Sequence, residues 1–395
     1  MMDSKTFVNL LALAVQNGAS DVHLQVGNAP GVRLRGELMN VTMASLTDED
    51  IQSVIGFLIK DPAEREKIKS LRDYDGSFEI PKLARFRVNI MKTQGRYGVV
   101  LRVVPLLVPT IESLGLPLAL KKIAAMQRGL VLVTGVTGSG KSSTLAAMID
   151  HLNATFPLHI LTVEDPIEFV HTAKRSRVTQ REVGRDTDSF SLALRAALRQ
   201  DPDVILVGEM RDQETIDIAL KAAETGHMVL STVHTTDAIK TIGRLVSVFP
   251  PAEQKMVRQR LSENLAATIS QRLIPRLDKK GMVAGQEVMI NNTAIAECIA
   301  NPDLTGGMNE YIEKSYEEDG SGGRTFEQHL VELYINKMIS LDSAKEFASN
   351  ANDLERNLMY GGKNQEAPKM SAQIELDHPK SADKDTDVDE TDEVA

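Results

Sequence analysis

The stretch GVTGSGKSS, residues 135–143, directly follows the apolar run LVLVT and decides the fold of the chain. It matches the pattern G-x-x-x-x-G-K-S, with a predicted strand before it and a predicted helix starting at Lys141. Glycines let backbone N–H groups approach a bound phosphate, and the helix N-terminus adds a favourable dipole. The stretch predicts a phosphate loop rather than a chance glycine-rich turn. Its candidate nucleotide-binding residues are Gly135, Thr137, Gly138, Ser139, Gly140, Lys141, Ser142 and Ser143.

Two side chains of this loop have predicted chemical roles. Lys141 is expected to reach the β- and γ-phosphates, where its charge would offset theirs. The hydroxyl of Ser142 is expected to ligate Mg²⁺. ATP and Mg²⁺ are therefore the predicted cofactors.

The pattern around the loop predicts an α/β fold. From about residue 118, short apolar strands such as LVLVT, HILTV, DVILVG and MVLSTV alternate with helical segments, which indicates a parallel sheet covered on both faces. We predict this domain over residues 118–360, with mainly helical structure from about Pro250. Residues 1–104 read as a smaller α+β domain, and the proline-rich segment 105–117 reads as a linker.

Composition excludes several classes of protein. The chain has 395 residues, a formal net charge of −10 and one cysteine, Cys298, so an intramolecular disulfide and a cysteine zinc site are excluded. No run approaches the roughly 20 apolar residues of a membrane span, and the N-terminus does not resemble a signal peptide. A reducing cytoplasm is the expected location. Residues 361–395 are acidic and poor in apolar residues, which predicts a disordered tail.

Two predicted strands end in acidic residues. HILTVEDP presents Glu164 and Asp165, and DVILVGEM presents Glu209. Carboxylates at strand C-terminal ends lie where open α/β sheets bind ligands, although a single such residue is more often a helix cap. We favour Glu164 as the base that orients the attacking water and Glu209 as the Mg²⁺-side residue. The reverse assignment stays open.

Histidines and arginines complete the list of candidate site residues. His234 ends the strand MVLSTV and could sense the γ-phosphate, whereas His227, at the other end, could equally be a packing residue. Arginines on the last strands of the first domain are usually solvated. They could instead stabilise transition-state charge at a neighbouring subunit's nucleotide, as an arginine finger does. These arginines are Arg85, Arg87, Arg96 and Arg102, of which Arg96 and especially Arg102 are favoured.

The motifs together resemble those of one ATPase superfamily. The segments are GVTGSGKS, TVEDPIEF, TQREVGRDTDSFSLALRAALRQDPDVILVGEMRD and AAETGHMVLSTVHTTDA. In order and spacing they are similar to the Walker A motif, Asp box, Walker B motif and His box of the type II/IV secretion ATPases. Within that superfamily the chain resembles the type IV pilus retraction motors, PilT and its paralogue PilU. ASDVHL and RFRVN extend the resemblance into the first domain, so it covers residues 1 to about 360.

The resemblance implies an architecture and a set of partners. Such relatives are hexameric rings in which a PAS-like N-terminal domain is joined to a RecA-like ATPase domain. A homohexamer is therefore expected at the cytoplasmic face of the inner membrane, peripheral to it and beneath a membrane-embedded pilus platform protein. The pilus assembly branch usually carries a four-cysteine zinc site, which one cysteine cannot build.

Details of the sequence favour PilU over PilT as the nearer type. AIAECI, residues 294–299, lacks the arginine of the AIRNLI-like segment of PilT, and Gly184 stands where PilT usually has His. The ending, with FEQHLVELY and ASNANDL, is also PilU-like.

Three functions follow from these patterns. The first is an ATP-driven motor that retracts pili. The second is an accessory ring that acts only with a paralogous retraction ATPase. The third, a nucleic-acid translocase, is disfavoured by the acidic charge and the scarcity of aromatic residues for base stacking, so no nucleic-acid partner is expected.

Overall fold

Two β-sheets organise the chain. The computed structural model describes residues 2–34, 36–59, 65–66, 72–81, 83–104, 107–317 and 322–361. The acidic tail predicted over 361–395 lies outside the described residues except for its first position. Among the described residues, no helix combines the length and apolar character that a membrane crossing requires.

The first sheet contains six antiparallel strands in the order β3-β2-β1-β6-β5-β4. Its strands are β1 (Ala19–Gln25), β2 (Gly31–Leu34), β3 (Glu37–Asn40), β4 (Asp73–Ile80), β5 (Ala84–Thr93) and β6 (Arg96–Val104). Two helices supply apolar residues to the same core, α1 (Ser4–Gln16) and α2 (Asp48–Leu58). Thr47 and Asp50 form a reciprocal capping box at the start of α2. Strand β4 was not predicted.

The second sheet has seven strands in the order β13-β12-β7-β11-β10-β8-β9, and every neighbouring pair is parallel except β12 and β13. Its strands are β7 (Gly129–Thr134), β8 (His159–Glu164), β9 (Arg177–Glu182), β10 (Val204–Val207), β11 (Met228–Val233), β12 (Leu265–Pro275) and β13 (Met282–Ile290). The central strands β7, β10 and β11 are buried throughout, which explains their continuous apolar sequences. The α/β fold is confirmed.

Helices cover this sheet and build the C-terminal part. They are α3 (Ala119–Ala124), α4 (Lys141–Thr155), α5 (Phe190–Ala197), α6 (Gln213–Glu224), α7 (Ala238–Ser247), α8 (Pro251–Asn264), α9 (Thr293–Ala300), α10 (Met308–Lys314), α11 (Phe326–Ile335), α12 (Leu341–Phe347) and α13 (Ala351–Gly361). Ile111 and Leu116, in the predicted linker, are buried against this domain's core. The second half of that segment therefore packs with the α/β domain.

The prediction of mainly helical structure after Pro250 was wrong for one segment. Between α8 and α9 the chain forms the antiparallel hairpin of β12 and β13, and β12 pairs in parallel with β7. The hairpin adds two strands beside the phosphate-loop strand. Most residues of TISQRLI and VAGQEVMI are buried, on both faces of the sheet, so the two strands lack the alternation of a half-buried strand.

A buried ion pair joins the two domains. The Arg85 guanidinium, on β5, donates to the Glu182 carboxylate at the end of β9, and both side chains are buried. Glu182 also accepts a hydrogen bond from the Ile167 backbone N–H at 3.2 Å. The pair therefore links the first domain to the loop that follows β8.

Breaking this pair should destabilise the protein. Arg85→Ala leaves the Glu182 carboxylate buried without its cation, which we expect to lower the free energy of unfolding by about 3 kcal/mol. Urea unfolding at neutral pH measures the change. Arg87→Ala, on the same strand but exposed, is the matched control and should cost less than about 0.5 kcal/mol. Equal effects of the two substitutions would contradict a structural role for the pair.

Candidate active site

The phosphate loop connects β7 to α4 and has the backbone that its glycines permit. Gly138 and Gly140 have φ angles of 80° and 86°, a left-handed conformation that favours glycine. At Gly135 a Cβ atom would lie 2.4 Å from Ser139 Oγ and 2.5 Å from the Gln271 carbonyl oxygen, so no side chain fits there. The glycines therefore determine the backbone conformation of the loop.

Lys141 lies over this loop. Its ammonium donates hydrogen bonds to the carbonyl oxygens of Gly135 and Val136, both at 3.0 Å. Burial lowers the pKa of Lys141, while the nearby charges of Glu168 and Glu209 act in the opposite direction. The structure thus places a partly desolvated cation beside the loop, where it attracts an anion more strongly than in water.

Glu209 faces the same region from the end of β10. Its side chain is only 16% exposed, and Oε2 lies 2.6 Å from Arg211 Nε and 3.6 Å from His234 Nε2. Burial and the charge of Lys141 lower the pKa of His234, which favours its neutral form. The structure therefore brings together three of the predicted residues, Lys141, Glu209 and His234.

Glu164 ends β8, the strand next to β10. Its Oε1 accepts hydrogen bonds from Thr162 Oγ1 at 2.7 Å and from Gln180 Nε2 at 3.2 Å. Burial is the main cause of a raised pKa for Glu164. A raised pKa makes a carboxylate a better proton acceptor, which suits a base that acts on water.

Two residues of the site were not predicted. Glu168 is exposed, and its charge acts on both Lys141 and Glu164. Glu168 belongs to TVEDPIEF but lies four residues beyond the end of β8, so the rule for acids at strand ends does not select it. Gln271, on β12, lies directly beneath the phosphate loop. The sequence did not predict its position, because the segment after Pro250 was expected to be helical and not to form a strand beside the loop.

The family model for the type II/IV secretion system protein matches residues 4–352. The chain belongs to the type II/IV secretion system protein family.

Individual relatives are pilus ATPases. The type IV pilus retraction ATPase PilT of Pseudomonas aeruginosa is 48% identical over 86% of this chain and 97% of its own length. PilU of the same organism is 38% identical over 90% of this chain and 92% of its own. A crystal structure of the pilus retraction motor PilT with bound ADP has a TM-score of 0.82 and 40% identity, and covers 90% of this chain and 100% of that one.

These comparisons do not support the preference for PilU over PilT. Identity is ten percentage points higher with PilT (48% against 38%) than with PilU from the same organism. A few local differences, such as AIAECI and Gly184, weighed too much in the sequence-based preference. Within the family, the chain's overall similarity is greater to the PilT type.

The arginines of the first domain occupy different environments. Arg85 is buried in its pair with Glu182, so its guanidinium is already engaged within the chain. Arg102 is 66% exposed and pairs with Asp21 Oδ1 at 2.8 Å, and Arg96 is 60% exposed and lies 3.7 Å from Asp48. Both exposed arginines face solvent in the single chain, and a role for either at a neighbouring subunit stays a prediction.

His227 has local hydrogen-bond partners, whereas His171 is distinguished by its burial. His227 Nδ1 lies 3.0 Å from the Ala222 carbonyl and 3.1 Å from Thr225 Oγ1 at the end of α6, which is a local structural contact. His171 is largely buried, and burial lowers its pKa to about 4.

A buried carboxyl group supports the helix that follows His234. Glu287 Oε1, on β13, accepts hydrogen bonds from the Ala238 backbone N–H at 2.8 Å and from Ser270 Oγ at 3.2 Å. Ala238 is the first residue of α7. Burial raises the pKa of Glu287 to about 7.

Glu287 should make stability depend on pH. Its pKa is raised from 4.5 to about 7 on folding. The stabilisation that Glu287 adds to the free energy of unfolding is therefore fully present below pH 4.5 and is lost as the pH rises through 7. Because glutamine does not titrate, the difference in unfolding free energy between the wild type and Glu287→Gln should change by roughly 3 kcal/mol across this window.

Urea unfolding at a series of pH values from 4.5 to just above 7 measures this change. Glu297→Gln, at an exposed position of α9, is the control and should leave the pH dependence of the wild type intact. A stability difference for Glu287→Gln that is constant with pH would rule out the titration.

Proposed function

We propose that the chain is an ATP-hydrolysing motor that drives the retraction of type IV pili. The observation that carries the proposal is the convergence of Lys141, Glu209 and His234 at one phosphate loop, in a chain whose pilus ATPase relatives match over most of its length. We further propose that it works as a homohexamer, peripheral to the cytoplasmic face of the inner membrane and beneath the pilus platform protein. Support for these partners comes from the family alone.

The residues at the loop fit a nucleotide with Mg²⁺. Mg²⁺ is usually held by one or two protein oxygen ligands together with phosphate oxygens, and Ser142 and Glu209 offer a hydroxyl and a carboxylate. The described residues contain no group of three or more His, Cys, Asp or Glu arranged as a metal site, which is compatible with so small a ligand set. When bound, the ion would neutralise charge on the β- and γ-phosphate oxygens.

Different groups of the chain have different proposed roles in hydrolysis. Backbone N–H groups of the loop and the N-terminus of α4 bind phosphate oxygens, and Lys141 supplies positive charge toward the γ-phosphate. Glu164, with its raised pKa, orients water and accepts its proton. His234, which lies beside Glu209 at the end of β11, is proposed to respond when the γ-phosphate leaves.

Substitution of the two acids should separate their roles. Glu164→Gln should bind ATP and Mg²⁺ but lose turnover by about 10²-fold or more, because the amide does not accept a proton. Glu209→Gln should instead raise the Mg²⁺ concentration needed for half-maximal turnover. Steady-state ATPase assays across a Mg²⁺ series, with nucleotide-binding measurements, distinguish the two.

Lys141→Ala serves as the inactive reference, since it removes the loop's cation. Glu253→Gln, an acid in the first turn of α8, serves as the control for a neutral Glu-to-Gln change. If Glu209→Gln traps ATP while Glu164→Gln shifts the Mg²⁺ requirement, the two roles are reversed.

The remaining positive charge is proposed to come from a neighbouring subunit. Arg102 is exposed on the first domain, and an arginine supplied in trans is worth roughly 10³- to 10⁵-fold in turnover. Arg102→Ala and Lys141→Ala should each be nearly inactive, and mixing the two should restore part of the activity. Some junctions of a mixed ring then combine an intact loop with an intact arginine.

The matched control is Arg33→Ala, because Arg33 also lies near Asp21, at 3.8 Å, but has no proposed catalytic role. It should keep normal turnover. Subunit exchange is verified by co-purification of differently tagged copies. Arg102 is excluded as the shared cation if Arg102→Ala has normal turnover. It is also excluded if the mixture with Lys141→Ala shows no turnover after subunit exchange has been confirmed.

An accessory ring is the second candidate function. The observation that favours it is Ala296 in AIAECI, the position where PilT carries arginine; here it lies half-buried on α9. Pilus imaging in a strain lacking all retraction ATPases decides between the two. Retraction restored by this chain alone, but not by Lys141→Ala, supports the motor, whereas retraction only with a paralogue supports the accessory ring.

A further inference from the structure

Gln271 lies in a buried row of polar groups beneath the phosphate loop. Its Nε2 donates to the Ser139 carbonyl oxygen, between the two glycines with positive φ. Its Oε1 accepts from Thr144 Oγ1, on α4, at 2.9 Å. One side chain therefore holds both the loop and the first turns of the helix that follows it.

The row continues away from the loop. Gln286, which faces Gln271 across the hairpin, donates from Nε2 to Gln271 Oε1 at 3.1 Å. The Gln286 backbone N–H donates to His329 Nδ1, on α11, at 2.8 Å. Burial lowers the pKa of His329 to about 3, so the ring is neutral and Nδ1 can accept. The orientation of the Gln271 amide is thus fixed from the side opposite the loop.

Packing leaves Gln271 little freedom. It is 2% exposed, and a Cβ atom at Gly140 would lie 3.1 Å from its Nε2. The loop therefore closes around this side chain. Because Gln271 draws the Ser139 carbonyl inward, that oxygen is kept away from the face where anionic phosphate binds, and the neighbouring N–H groups are left to face the ligand.

We propose that Gln271 is a positioning residue for nucleotide binding, which holds the phosphate loop in its anion-binding conformation before the nucleotide arrives. The inference rests on the proposed ATPase function. It adds that the hairpin and α11 take part in shaping the phosphate site. A loop held in advance costs less to order on binding, so the effect should appear in nucleotide affinity.

The test compares three variants. Gln271→Met keeps the length of the side chain but leaves the buried Ser139 carbonyl without its donor, and should weaken ADP affinity and raise KM for ATP by about tenfold. Thr144→Val removes one hydrogen bond to Gln271 and should act in the same direction, but less. Thr268→Val, on the same strand, is the control, because the buried Thr268 hydroxyl has no hydrogen-bond partner among the described residues.

Hydrogen exchange provides a readout that needs no nucleotide. In the free protein, amides of residues 135–141 should exchange faster in Gln271→Met than in Thr268→Val, while the exchange rates of amides in β7 and β11 should not change.

If the wild type has no ATPase activity, the proposed function fails, but the exchange comparison still tests the positioning role. If Gln271→Met does not fold, Thr144→Val carries both measurements. The inference would be overturned if the folded Gln271→Met variant exchanged its loop amides at the wild-type rate and bound ADP with wild-type affinity. If Thr144→Val is used in its place, the same result in that variant would overturn it.

Discussion

The site depends on one constraint: a phosphate loop must direct its N–H groups outward while its carbonyl groups find partners inside. Glycines with positive φ at 138 and 140 make the required turns. Lys141 satisfies the carbonyls of Gly135 and Val136, and Gln271 satisfies that of Ser139. Because an unsatisfied buried carbonyl is costly, the loop conformation is determined by groups outside the loop as much as by its own sequence.

The electrostatics of the site follow from the order of the parallel strands. The loop follows β7, His234 follows β11, Glu209 follows β10 and Glu164 ends β8, and these four strands are neighbours in that order. Burial acts on the charged groups in opposite directions, since it lowers the pKa of Lys141 and raises that of Glu164. Glu164, whose pKa is raised by burial, is therefore suited to take a proton.

Short sequence patterns predicted the parts of the structure that depend only on residues close together in the sequence. The loop, the apolar strands and the acids at their ends were identified because each depends on a short stretch and its neighbours. The hairpin of β12 and β13 was missed because strands buried on both faces carry no alternation, so only pairing with β7 reveals them. Gln271, Gln286 and His329 were not predicted because their contacts join residues far apart in the sequence.

Contacts between distant segments also decide how the first domain can affect catalysis. Glu182 faces Glu164 across β8 and β9, and it is shared between Arg85 of the first domain and the Ile167 N–H. Gln180, on the same strand, donates to Glu164 and to the Phe169 carbonyl. A rotation of the first domain that moved Arg85 would therefore act directly on the loop that carries Glu168 and on the strand that orients Glu164. Strand β9 thus connects Arg85 of the first domain to Glu164 through Glu182 and Gln180.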